Sequence, residues 1–93
     1  MTLEIVSPEQ RLFKGEVTSV TLPGVVGSFQ ILNHHAPIVS TLKEGLIKIV
    51  GSDVQIAKDA IGMFVEVNPE TYTLAIASGT IEMKDNHIIV LVD

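Results

Sequence analysis

The apolar residues of this chain come in short alternating runs, and a turn signal cuts nearly every run before it reaches helical length. Pro8, Lys14-Gly15, Pro23-Gly24, Gly27, Pro37, Gly45, Gly51-Ser52-Asp53, Asn68-Pro69, Ser78-Gly79 and Asp85-Asn86 punctuate the sequence. Over most of its length that leaves no room for an amphipathic helix of about ten to twelve residues. Between the breaks, apolar residues recur with period two, which places them on one face of a strand. Leu3 and Ile5 share a face in Thr2–Val6, Val20 and Leu22 in a run from Glu16 to Leu22, and Phe29 and Ile31 in Ser28–Leu32. Ile38–Leu42 follows as a short strand, then Leu46–Val50 with Ile47 and Ile49 inward. Leu74 and Ile76 pair within Tyr72–Ala77, Ile81 and Met83 follow together, and His87–Val92 closes the set.

Two segments are less regular. Val54–Ala57 is weakly strand-like. In Lys58–Val67 the residues Ile61, Met63, Val65 and Val67 keep strand period, while Ile56, Ala60, Ile61 and Phe64 keep helix period. Gly62 and the β-rich surroundings favour a strand. Many short strands at regular spacing predict an all-β fold, an antiparallel sandwich or flattened barrel. At 93 residues the chain is expected to form a single domain spanning 1–93.

Charge and composition exclude several functions. The net charge is −5, and the six basic residues, Arg11, Lys14, Lys43, Lys48, Lys58 and Lys84, are scattered. No cluster exists to neutralise phosphates, so no nucleic-acid partner is expected. There is no cysteine, which rules out disulfides, thiolate catalysis and Cys-based metal sites. No run approaches the ~18 apolar residues of a membrane helix, and Met1–Val6 lacks a signal peptide's basic and long apolar regions. A cytosolic or matrix-side location is expected, with membranes reached only through a partner.

From Val17 to Leu42 there is no Asp, Glu, Lys or Arg. Solvent faces of small domains usually carry charge, so this stretch is expected either to meet a partner or to be kept wet by Ser, Thr, Asn and Gln alone. Within it, Asn33-His34-His35-Ala36-Pro37 forms a corner between two strands. Pro37 fixes its own φ and biases Ala36 to extended geometry, which stiffens the corner.

Catalytic patterns are absent. No Gly-x-Ser-x-Gly elbow, Walker loop or Gly-x-Gly-x-x-Gly occurs, and the acidic residues form no suggestive pair. His34-His35 is the one tempting metal motif. In extended backbone the two rings point opposite ways, and His87 joins them only if the fold brings it there. No metal or other cofactor is expected. The simpler reading has one histidine bonding the corner and the other exposed. Phe13, Phe29, Phe64 and Tyr72 are read as core or interface residues.

At this point particular residues add to periodicity. Ile5-Val6-Ser7-Pro8-Glu9, Leu12-Phe13-Lys14-Gly15-Glu16-Val17, Leu22-Pro23-Gly24, Gly27-Ser28-Phe29 and Asn33-His34-His35-Ala36-Pro37-Ile38 follow one another in order. With Lys43-Glu44-Gly45-Leu46-Ile47-Lys48-Ile49, Ser78-Gly79-Thr80-Ile81-Glu82-Met83 and Val90-Leu91-Val92-Asp93, they resemble the epsilon-subunit family of the bacterial F-type ATP synthase. His35-Ala36-Pro37 matches that family's Gly/Asn-His-Ala-Pro corner, with His34 in the Gly/Asn place. The resemblance implies a flattened β-sandwich of ten strands at the foot of the central stalk. Its partners would be the gamma subunit and the c-ring, on the cytoplasmic side of the bacterial inner membrane. The role it implies is non-catalytic: a rotor part that supports coupling of proton transport to ATP synthesis. Gly27, Ser28, Asn33, His34, His35, Ala36 and Pro37 match the ring-facing or gamma-facing edge.

Two departures accompany the resemblance. The family usually continues into a two-helix hairpin. This sequence stops at Asp93, so a short form without the helical domain is expected, and neither inhibition nor nucleotide binding is carried over. The match also lapses over residues 51–77, where an extended hairpin is expected. The alternative to the stalk reading is a free-standing small-ligand or carbohydrate-binding sandwich.

Overall fold

A computed structural model describes residues 1–93, and in it ten strands form two five-stranded sheets. The strands are β1 (Thr2–Val6), β2 (Arg11–Glu16), β3 (Ser19–Pro23), β4 (Ser28–Leu32), β5 (Ile38–Leu42), β6 (Gly45–Val50), β7 (Phe64–Asn68), β8 (Thr71–Ile76), β9 (Gly79–Lys84) and β10 (His87–Val92). One sheet has the order β2-β1-β10-β9-β5 and the other β4-β3-β6-β8-β7. The sandwich is the expected one. Within it a single neighbouring pair, β1 with β10, runs parallel, in register Leu3↔Ile88 and Ile5↔Val90.

The period-two residues supply the core from both sheets. Leu3, Ile5, Ile81, Met83, Ile88 and Val90 point in from the first sheet, and Val20, Leu22, Ile31, Ile47, Ile49 and Leu74 from the second, all essentially fully buried. Burying two such faces against each other is the main favourable term in folding, and it sets the register, since a one-residue slip would turn every inward side chain out.

Four local expectations are corrected. Lys14-Gly15 is no turn but lies inside β2, where Gly15 sits opposite Leu3 and Lys14 opposite Glu4. Gly15 belongs there because a Cβ would stand 3.3 Å from the tip of the Phe13 ring. The run from Glu16 to Leu22 is not one strand. It breaks at Val17-Thr18, where the chain crosses between sheets, with Val17 N donating to Met1 O (2.9 Å) and Thr18 N to Val50 O (2.7 Å). Val54–Ala57 forms no strand. The extended hairpin expected over 51–77 is only the short pair β7–β8, preceded by turns and a 3₁₀ turn at Ile61–Met63.

Lys58–Val67 mixes the two periods its sequence displays. Ala60 and Phe64 are buried and Ile56 packs against the core, as the helix spacing orders them, although no α-helix forms. The strand-period set Ile61, Met63, Val65 and Val67 faces water instead. The reason is positional: β7 is an edge strand, and Phe64, opposite Leu74, already supplies its inward contact.

Candidate functional site

The later part of the uncharged stretch, from β4 to β5, becomes one lateral edge of the sandwich, with β3 one strand in. β4 ends one sheet and β5 ends the other, and the corner Asn33–Pro37 joins them. At the opposite end of β4, the loop Gly24–Gly27 ties the two edges together. Gly24 bridges to Leu42, Val25 N donates to Thr41 O (3.2 Å) and Lys43 N to Pro23 O (2.9 Å). Gly27 N closes the loop on Gly24 O (3.1 Å), with Gly27 itself at φ 153. A cavity of about 610 Å³ lies along this edge, with Phe29 on one side and Val39 and Thr41 on the other. Val26 and Val39 protrude from it into solvent.

The corner is held by three contacts. His35 N donates to Leu32 O (3.2 Å), closing a turn in which His34 takes φ 62. His34 N donates to Asn86 Oδ1 (2.8 Å), in the β9–β10 turn. Asn33 Oδ1 accepts from the buried Met1 ammonium (2.7 Å), which also donates to Val17 O (3.3 Å). Glu16 lies 3.6 Å from the same ammonium. A hydrogen bond from the Thr2 hydroxyl holds its carboxyl below the ordinary value, and the ammonium adds to the effect. The corner is thus exposed in its side chains but fixed in its backbone.

The left-handed φ at His34 explains the residue types expected there. An L side chain in that region costs roughly 1–2 kcal/mol, and glycine or asparagine bears it best. His34→Gly is therefore expected to stabilise the chain by about 1 kcal/mol, raising Tm by roughly 4–8 °C. The Asn86 contact survives because it uses the backbone N–H. Thermal unfolding checks this, and an unchanged or lowered Tm would show that His34 contributes through its side chain.

The fold does not bring the three histidines together into a cluster of metal-ligand spacing. The backbone at His34 is left-handed rather than extended, so the opposed-ring geometry expected for the pair does not apply. His35 Nδ1 lies 2.7 Å from Ala36 O. His87 follows Asn86 in sequence, but its Nε2 is buried with no hydrogen-bond partner. No three His, Cys, Asp or Glu side chains converge. Around the corner a cavity of about 500 Å³ is lined by His34, His35, Ala36, Pro37, Asp85 and Asn86.

Of the seven residues singled out in the sequence, the five at Asn33–Pro37 are contiguous and exposed. Gly27 and Ser28 lie at the other end of β4, a strand length of ~20 Å away. They share the edge but not one site. Sequence reasoning missed Met1 and Asn86, the two anchors of the corner. Asn86 carried a hairpin signal, whereas nothing local marks the contact that Met1 makes with a residue so distant in sequence.

Comparison with known proteins concerns the whole sandwich. A family model described as the beta-sandwich domain of the ATP synthase Delta/Epsilon chain matches residues 1–93. The chain is 40% identical over 70 residues to the ATP synthase epsilon chain of Caulobacter vibrioides, covering 75% of this chain and 81% of that one. It is 36% identical over 92 residues to the epsilon chain of Chlorobaculum tepidum, covering 99% and 88%. With that of Leptospira interrogans serovar copenhageni it shares 35% over 93 residues, all of this chain but 61% of the relative. A solved chain from the central stalk and c-ring of the Tetrahymena thermophila mitochondrial ATP synthase shares the fold, with TM-score 0.72 at 16% identity, covering 99% of this chain and 62% of that one.

Proposed function

This chain belongs to the ATP synthase delta/epsilon-chain family, and from that membership we propose that it is a central-stalk subunit joining gamma to the membrane c-ring. The observation that carries the reading is the family match along the whole sandwich, residues 1–93. The chain works as one β-sandwich domain, peripheral to the membrane, on the cytoplasmic side of a bacterial inner membrane. It is an accessory, non-catalytic part of a proton-translocating complex.

The work of such a part is mechanical. Torque passes through a body only if the body does not absorb it, and close-packed interiors transmit strain. Two sheets sharing one dry core supply that stiffness. The ring-facing edge is assigned to Asn33, His34, His35, Ala36 and Pro37, with Gly27 and Ser28 further along β4. An uncharged corner suits contact with polar loops, because it brings no isolated charge that must be desolvated. Its backbone anchors at Asn86 and Met1 keep it from yielding under load.

The reading is tested by size exclusion of this chain mixed with the gamma subunit of the same organism. A stable one-to-one complex is expected, and separate elution of two folded proteins would overturn the reading. The edge has its own test. The double variant His35→Ala with Pro37→Ala is expected to cut proton-driven ATP synthesis several-fold in the assembled complex while the chain stays folded and bound. Unchanged synthesis would remove the corner from the ring contact.

A further inference from the structure

The corner Asn33–Pro37 joins two lateral edge strands, β4 and β5. Only two hydrogen bonds leave it for a distant part of the chain. Asn33 Oδ1 accepts from the Met1 ammonium, and His34 N donates to Asn86 Oδ1 (2.8 Å), 52 residues away in sequence. The bonds of His35, from N to Leu32 O and between Nδ1 and Ala36 O, stay within the corner and its own strand. Pro37 has no N–H to give. From His34 to Pro37, then, the Asn86 side chain is the single tie to the body of the sandwich.

Asn86 is well placed to hold that tie. It lies in the two-residue turn between β9 and β10, and β10 is the central strand of its sheet. Its carbonyl oxygen accepts from Thr2 N (3.1 Å), which fastens the turn to β1 as well. One residue thus links two interior strands to a corner that otherwise hangs from edge strands.

The turn itself does not call for asparagine. Asp85 and Asn86 take φ 53 and 59, the type I′ arrangement, in which glycine is the favoured second residue. Asparagine bears that conformation less well than glycine does. What asparagine adds is an amide oxygen, and that oxygen is on His34 N.

We propose that Asn86 is the positioning residue of the ring-facing corner. Its side-chain oxygen sets where His34–Pro37 stand against the interior strands, and the coupling contact needs that placement. The inference rests on the ring-facing assignment above and adds to it a residue outside the uncharged stretch. Asn86 acts through the His34 backbone and not by touching the partner. Without its oxygen the turn closed by His35 N and the Met1 hold on Asn33 both persist, so the corner shifts without unfolding.

Two variants test this. Asn86→Gly removes the oxygen and keeps the turn, whereas Asn86→Asp keeps an oxygen in the same place. Both are measured in the chain and then in the assembled ATP synthase of the same organism. Asn86→Gly is expected to leave Tm unchanged or raised while exchange of the His34 amide quickens about 5-fold, as loss of one ordinary hydrogen bond allows. In the complex this variant is expected to be retained, with proton-driven synthesis several-fold lower. Asn86→Asp is expected to restore His34 protection and synthesis to within about twofold, because a carboxylate oxygen accepts the same N–H at least as well. A lowered Tm in Asn86→Gly would show the amide serving the fold and overturn the proposal. Full synthesis by Asn86→Gly with quickened His34 exchange would also overturn it, as would His34 protection in Asn86→Asp without recovery of synthesis. If the His35→Ala, Pro37→Ala double variant lowers synthesis and Asn86→Gly does not, the corner keeps its role and Asn86 loses its own. If neither lowers it, the ring-facing assignment itself has failed.

Discussion

Ile47→Ala is expected to remove about 3 kcal/mol of unfolding free energy and lower Tm by more than ~10 °C. Ile47 is fully buried on the inward face of β6 and pairs across the sheet with Leu74. Truncation there loses the transfer energy of the deleted carbons and leaves a cavity that two hydrogen-bonded sheets cannot easily collapse to fill. A chain of this length has only roughly 5–14 kcal/mol to lose. The neighbouring change Leu46→Ala, one residue away but outward, is expected to stay within about 0.5 kcal/mol. Urea unfolding of the two variants measures both. Equal effects would mean that the inward and outward faces of β6 are assigned the wrong way round.

Gly24→Ala is expected to cost about 2 kcal/mol and to loosen the edge formed by β4 and β5. The backbone at Gly24 is ordinary, and the demand for glycine comes from space. A Cβ would lie 2.7 Å from the carbonyl oxygen of Gly27 and 2.8 Å from the Phe29 ring. The ring packs against the core and cannot easily move aside, so the loop must lift. Lifting it breaks the Val25 N to Thr41 O bond that ties the loop to β5. Amide exchange at Val25, together with the urea midpoint, is the measurement. Native protection at Val25 in a variant of unchanged stability would show that the loop can yield without loss.

The strands that were legible in the sequence are those with strict alternation and a clear break at each end. β1, β4 and β8 satisfy both conditions, β6 alternates around Lys48, and β10 was legible instead as a continuous apolar run after the Asp85-Asn86 turn; their inward residues supply much of the core. β2 was misread because a Lys-Gly pair looks like a turn, although here its glycine makes room for a neighbouring ring. The segment before β7 was misread because two periods coexist in it. Which period faces inward depends on how the segment lies against Ala60 and Phe64, which no local pattern specifies. For the candidate site, the uncharged corner and its proline were visible, but its anchors were not. Met1 and Asn86 reach Asn33 and His34 only because three distant parts of the chain end at the same end of the sandwich.

By itself, then, the sequence determined the fold class, the composition of the core, the absence of catalytic patterns and the presence of an uncharged stretch. Each of these follows from local periodicity or composition, which act over a few residues. Tertiary structure alone decided that the β4–β5 part of the uncharged stretch becomes a lateral edge and that β1 and β10 run parallel. Those outcomes depend on which strands become neighbours. That choice is made by burying two apolar faces against each other across the whole chain, and no window of sequence contains it.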